Sequence, residues 1–293
     1  MMIPNIQFEH NEDKPPLYID ILELGEFYQR FGTLHSPPYE PHRIKFHGLL
    51  YIIEAQGSHF IDFVSHQYQA SRCIFVNKDQ VQSFNFTSKP KGYLILFTDD
   101  FLNNLRSNIR TSLFPQTGVL TSNSATLNLS PTLMDSCSAL ISEIASELSR
   151  QESDILLVQM LFTSLLLKLN RERLPQQSQL SERHQTQFNQ FIQLLAQGYT
   201  NNRDANSYAA LMNITYKTLN QLCKQVCNKT AKQLIDAHVI LEAKRQLAVE
   251  QVQVQQLAFS LGFNEVTNFI KYFKRHTSQT PSQFKSAINN PSH

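Results

Sequence analysis

From Gln255 to Lys285 the chain reads QQLAFSLGFNEVTNFIKYFKRHTSQTPSQFK, and its apolar positions fall into two short bursts. Gln255 to Leu261 carries a short helical pattern that Gly262 stops, because a residue without Cβ closes a helix in the left-handed conformation at little cost. Phe263 is the buried residue of the turn. Asn264 is placed to cap the next helix, with Glu265 in its first turn, where the helix dipole favours negative charge. Val266, Phe269, Ile270 and Phe273 then recur at the spacing of one apolar stripe, and Thr267, Asn268, Lys271 and Lys274 occupy the other face. That polar face runs from short donors and acceptors to cations. A helix entering a major groove needs this order, with base edges met early and phosphates later.

The same grammar recurs about fifty residues earlier, in YAALMNITYKTLNQLCKQVCNKTAKQL from Tyr208 to Leu234. Tyr208 to Met212 is a short helix, Asn213 and Ile214 turn, and Thr215 caps a second helix. Leu219, Leu222, Cys223 and Val226 form its apolar stripe, and Lys217, Asn220, Gln221 and Lys224 point away from it. Ala231 to about Val249 is free of Gly and Pro and reads as one connecting helix. About 20 residues at 1.5 Å each reach roughly 30 Å, against roughly 34 Å between successive major grooves on one side of a duplex.

The run LEAKRQLAVEQVQVQQLAFSLGFNEVTNFIKYFKRHTSQTPSQFK resembles the DNA-binding signature of AraC/XylS-type bacterial transcription regulators. The matching residues are Ala243, Lys244 and Leu247, then Leu257, Ala258, Gly262, Phe263, Phe269, Phe273, Lys274, Thr280, Pro281 and Phe284. The likeness covers roughly Ser181 to Ile288. It implies seven helices, the third and sixth being recognition helices. The family's base-reading places fall on Lys217, Asn220 and Gln221 and on Thr267, Asn268 and Lys271. Lys224 and Lys274, further along the same faces, complete the expected DNA-binding set. Asn228 and Ser278 depart from the family in standing where Gly is usual, and Asn tolerates the same left-handed turn. Cys223 replaces a larger apolar residue.

The first half has a different rhythm. From about Phe27 to Phe101, strand-sized apolar runs are broken by Gln56-Gly57 and by Asn77-Lys78-Asp79, and GYLILFTDDFL reads as a strand followed by a helix start. Short strands at close spacing predict a small sandwich or barrel. HRIKFHGLLYIIEAQGSHFIDF and FVNKDQVQSF are similar to the cupin-like sensor domain that many AraC/XylS regulators carry. The expected architecture is thus a multidomain α+β chain: a cupin-like small β-barrel with helices, then an all-α double helix-turn-helix domain. Its divisions are 1–170 for the sensor and dimerisation domain, 171–183 for a Gln-rich linker, and 184–293 for the DNA-binding domain. Pro131 to Arg150 and Asp154 to Asn170 read as two helices. The second is apolar on more than one face, which leaves two covers open: its own domain, or a second subunit in a homodimer.

Charge sharpens this division. Residues 1–180 hold 14 Lys and Arg against 18 Asp and Glu, whereas residues 181–293 hold 12 against 6. A basic C-terminal module fits double-stranded DNA as partner, with RNA polymerase as the further partner of an activator. The four cysteines are scattered, which suits a reducing cytoplasm. The longest apolar run, Ile155 to Leu169, is shorter than the roughly 18 to 20 residues that span a bilayer, and MMIPNIQFEHNEDKPP has no apolar core of a signal peptide.

Cupins can be metal enzymes, so the histidines of the first half bear on function. No His-x-His pair occurs, and Gln82 stands where a His often sits. The reading is therefore a non-enzyme without cofactor, controlled by a small-molecule effector. His42, Arg43, His47, Tyr51 and Phe84 are the candidate effector residues, with Arg43 serving either a carboxylate effector or the solvent. The alternative is a metal-dependent cupin enzyme or a DNA-repair protein fused to a DNA-targeting module.

Overall fold

In the computed structural model the residues described are 3–8, 18–30, 37–85, 87–108, 125–173, 182–249 and 252–289. They form two compact units, one built mainly from residues 4–178 and the other from residues 179–293.

The first unit runs β1 (Asn5–Ile6), β2 (Ile19–Glu23), α1 (Leu24–Gln29), β3 (His42–Ile44), β4 (His47–Glu54), β5 (Gly57–Ile61), β6 (Val64–Tyr68), β7 (Arg72–Val76), β8 (Val81–Phe84), β9 (Lys91–Phe97), α2 (Asp99–Asn108), β10 (Thr126–Asn128), α3 (Pro131–Leu148) and α4 (Ile155–Arg173). The strands pair in the orders β1-β3-β8-β5-β6 and β10-β7-β4-β9-β2. The cupin-like β-domain is thus two five-stranded sheets sharing a core, rather than one closed cylinder.

Strand β4 explains the layering. Its sequence HGLLYIIE is apolar almost without a break, as expected of a strand covered on both faces. Alternate side chains point to opposite sides. Leu50 and Ile52 join Ile44, Ile61 and Phe84 of the other sheet in the inter-sheet core. Leu49 and Tyr51 join Phe101, Ile141 and Phe162 of the helices that cover the outer face. The β5–β6 hairpin turns on Asp62 and Phe63, whose φ values of 46° and 69° match the twist of the flanking strands.

The expected helix pair is present as α3 and α4. Asp154 starts α4, its Oδ1 accepting the amides of Leu156 and Leu157 at 2.9 and 3.2 Å. Helix α4 continues to Arg173, so it takes up the start of the segment expected as linker, and the next helix opens at Glu182. The rest of that segment, 174–181, lies outside the described residues.

The second unit has seven helices among its described residues: α5 (Glu182–Gly198), α6 (Ala205–Leu211), α7 (Tyr216–Cys227), α8 (Ala231–Val249), α9 (Val254–Ser260), α10 (Val266–Thr277) and α11 (Pro281–Asn289). It has two apolar cores. Phe188, Phe191, Leu195, Tyr208, Leu219 and Leu222 fill the first, and Leu257, Leu261, Phe269 and Phe273 fill the second. Helix α8 serves both. Ala231, Leu234 and Ile235 belong to the first core, and Val239, Ala243 and Leu247 to the second.

Candidate nucleic-acid interface

Two copies of one backbone design carry the candidate reading surfaces. Helix α6 ends with the amide of Ile214 on the carbonyl of Ala209 at 3.0 Å, and α9 ends with the amide of Phe263 on Ala258 at 2.9 Å. The residue before each, Asn213 or Gly262, is left-handed, with φ of 54° and 76°. The second helix of each pair follows. Helices α7 and α10 are both 12 residues long, and both close on a left-handed residue, Asn228 with φ 55° and Ser278 with φ 64°. Those two residues donate their backbone N–H groups to Lys224 and Lys274 respectively. The departures from Gly noted in the sequence therefore preserve the turn.

The starts of the two helices differ. Thr215 caps α7, its hydroxyl oxygen accepting the amide of Thr218 at 3.1 Å. In α10 the cap position belongs to Glu265, in extended backbone, and not to Asn264. Neither side chain makes the expected cap bond. The Glu265 carboxylate instead accepts the hydroxyl of Thr267 at 3.3 Å.

The buried stripes fall where the periodicity puts them: Leu219, Leu222 and Cys223 on α7, Phe269 and Phe273 on α10. Burial pushes the Cys223 thiol up to about 12, so it is a small apolar core group. Lys217, Gln221, Lys224, Thr267, Asn268, Lys271 and Lys274 are all exposed. The cations Lys274 and Arg275 lie in the last turn of α10, where the helix dipole favours positive charge, and His276 beside them is held below the ordinary histidine range by burial.

Asn220 differs from the other residues named on this face. It is half-buried, and its Oδ1 accepts the amide of Ala231 at 2.9 Å, satisfying a donor at the start of α8. Its counterpart in the second copy, fifty positions on, is Ile270, part of the apolar side of α10. The same alignment sets Thr218 opposite Asn268 and Gln225 opposite Arg275, and these four residues are exposed. Thr218, Gln225 and Arg275 are the face residues that sequence reasoning missed. The repeat itself contained the signal, because matching α7 to α10 residue by residue picks them out.

The candidate effector residues are for the most part engaged elsewhere. His42 is 6% exposed, and its Nδ1 donates to the carbonyl of Glu40 at 2.9 Å. The amide of Gln82 lies between His42 Nε2, at 3.2 Å, and His59 Nε2, at 3.0 Å. Burial holds both imidazoles below the ordinary histidine range, His59 to about 3. Arg43 pairs with Asp79 at 3.2 Å, and its side chain is 11% exposed. His47 bonds Asp99 at 3.0 Å and stacks on Phe97. Its hydrogen bond, joined by that of Lys78, holds the Asp99 carboxyl well below the usual carboxylate range. Tyr51 is fully buried against the helices, its hydroxyl donating to the carbonyl of Met134 at 2.7 Å. Of the five, Phe84 alone borders a cleft of about 590 Å3, which Tyr39, Ser58, Phe60, Ser83, Asn85 and Thr87 also line.

Among known proteins, the family model described as a helix-turn-helix domain matches residues 208–287. The HTH-type transcriptional activator RhaS of Yersinia pestis bv. Antiqua (strain Angola) is 26% identical over 140 residues, 48% of this chain and 50% of RhaS. The raffinose operon transcriptional regulatory protein RafR of Pediococcus pentosaceus is 26% identical over 102 residues, 35% of this chain and 37% of RafR. The chain thus spans about half, or less, of the length of these curated relatives. Among solved structures, unsaturated fatty acid bound ToxT from Vibrio cholerae strain SCE256 aligns over 92% of this chain and 93% of its own, with 14% identity and a TM-score of 0.44. The paired backbone motifs lie within the matched span, so residues 208–287 form a helix-turn-helix domain, and this part of the chain is similar to the activator RhaS.

Proposed function

We propose that the protein is a sequence-specific DNA-binding transcription regulator, an activator, under the control of a small-molecule effector. The observation that carries this reading is the pair of exposed polar faces, on α7 and α10, mounted on matching turns and joined by one helix. Helix α8 has 19 residues and is about 28 Å long, close to the separation of adjacent major grooves. The side chains assigned to base edges are Lys217, Thr218 and Gln221 on α7 and Thr267, Asn268 and Lys271 on α10. Lys224, Lys274 and Arg275 take phosphates.

The effector reading rests on the first unit. Its open cleft offers Tyr39, Phe60 and Phe84 as apolar surface and Ser58, Ser83, Asn85 and Thr87 as hydrogen-bonding groups. An effector shifts the regulator only by binding its two states unequally. Helix α4 supports a homodimer. Val158, Phe162, Leu165 and Leu169 are buried within the first unit, while Leu156, Leu157, Met160 and Leu167 stay exposed. An activator of this kind works in the cytoplasm and has RNA polymerase as a further partner.

The donor set disfavours the metal-enzyme alternative. The Nε2 atoms of His42 and His59 are both bonded to the Gln82 amide, a poor transition-metal ligand.

Selection of duplexes from a random pool by the full chain tests the proposal. Enrichment of a defined sequence, with affinity falling steeply between 50 and 200 mM salt, is expected. A chain that enriches no sequence is not this regulator.

A further inference from the structure

Helix α8 is not the only connection between the two helix-turn-helix units. A single rod would let each unit bend and twist about its axis. Two cross-contacts remove that freedom.

The first involves the loop between α5 and α6, which leans on the turn of the second helix-turn-helix. The Arg203 guanidinium lies over the Phe263 ring, 3.7 Å from its centroid, and donates to the carbonyl of Gly262. The approach is close enough that a Cβ on Gly262 would fall 1.7 Å from the carbonyl oxygen of Thr200. Gly262 is therefore required twice, for its positive φ and for this contact.

The second lies in the second turn of α8. Asp236 is 8% exposed, and its Oδ1 accepts the Tyr272 hydroxyl of α10 at 2.7 Å and Lys232 Nζ at 2.7 Å. His276 Nε2 is 3.8 Å from the other carboxylate oxygen. Lys232 also reaches the carbonyl of Arg203 at 3.5 Å, which joins the two cross-contacts into one network. Burial and the Asp236 carboxylate hold the Tyr272 phenol far above its ordinary range, so it stays a donor. Beside this network Tyr199 packs against both cores and meets the ring of His238 edge to face, 4.8 Å between centroids.

We infer that Arg203 and Tyr272 are positioning residues, bracing α10 against the first helix-turn-helix and so fixing which spacing between two DNA half-elements the chain accepts. The inference rests on the reading of α7 and α10 as DNA-reading helices. It adds that their relative placement is set by side chains away from the exposed faces assigned to DNA. A long, charged donor and a half-buried phenol suit such a brace, because each bond to a carbonyl or carboxylate is directional.

The test uses a duplex that the wild-type chain selects from a random pool, and variants of it with one or two base pairs inserted between the two contacted halves. Each inserted pair rotates one half against the other by about 35°. Wild type is expected to lose about tenfold or more in affinity per insertion. Arg203→Met and Tyr272→Phe are expected to bind the native spacing within about fivefold of wild type, yet to lose only about threefold on insertion. A residue that merely stabilises the fold would lower affinity for every spacing alike. Wild-type insertion penalties in both variants overturn the inference, as does a wild type indifferent to spacing. If Arg203→Met loses its cooperative thermal melt, Tyr272→Phe, which keeps the ring, decides. Failure of the wild type to select any sequence shows itself before any variant is made, and brings down the DNA reading and the inference together.

Discussion

The side-chain oxygen of Asn220 accepts the backbone amide of Ala231 at 2.9 Å and so ties α7 to the start of α8. Asn220→Ala leaves that helix-start donor without its partner. A loss of about 1 to 2 kcal/mol in unfolding free energy is expected. The selected DNA sequence should stay the same. Denaturant unfolding and a repeat of the duplex selection check both halves. A changed base preference at unchanged stability would return Asn220 to the reading surface.

Lys271 and Lys274 lie on one exposed face of α10 and are assigned different work. Lys271→Ala should relax the preference at one base position, at a cost of about 1 to 3 kcal/mol for the preferred base. Lys274→Ala should weaken binding to all sequences alike and reduce the salt slope by about 1. Quantitative binding to single-base variants of the selected site, over a salt series, separates the two. A uniform loss for Lys271→Ala would make it a phosphate contact.

The second unit was largely readable from the sequence because each of its rules is local. Stripe spacing, a Thr cap and left-handed closing residues all act within one helix turn or a few residues. One local expectation failed, the cap of α10, which is Glu265 and not Asn264; the other exceptions are non-local. Asn220 bonds a residue eleven positions away, and only comparison with Ile270 shows that its side leans toward the core. Arg203 owes its role to Gly262 and Phe263, far along the chain. In the first unit the strands were visible but their faces were not. His42, Tyr51 and Phe84 are all buried, and a run such as LLYIIE, apolar on both sides, gives no parity by which to say which residues meet which layer. Short pieces also escaped, since α1, β2 and β10 are held by pairing and packing more than by their own patterns.

His238 gives the second unit an acid-sensitive point. Burial, with the Arg245 charge adding to it, lowers its pKa from 6.5 to about 4, and its buried Nε2 has no hydrogen-bond partner among the described residues. A depressed histidine pKa means that the unfolded chain takes up the proton first. Stability is complete above about pH 6.5 and falls as the pH drops toward 4, by roughly 3 kcal/mol over the window from this group. The imidazole signals of His238 in a nuclear magnetic resonance titration should stay neutral until near pH 4. Titration of His238 close to 6.5 in the folded chain would refute this.

The exposed side of α4 carries Leu157 and Met160 in a patch that a second subunit would cover. Leu157→Glu with Met160→Glu should convert a dimer to a monomer in sedimentation without loss of thermal stability in the monomer, since neither side chain is buried within the unit. A wild-type chain that sediments as a monomer at every concentration would remove α4 from any interface.

The most direct measurement is hydroxyl-radical footprinting of the full chain on its selected duplex. Two protected patches on one side of the DNA, centred about 10 base pairs apart, are expected, and alanine at Thr267 with Asn268 should thin the pattern in one patch only. A single patch, or protection that wanders around the duplex without a fixed repeat, would contradict a paired grip by α7 and α10.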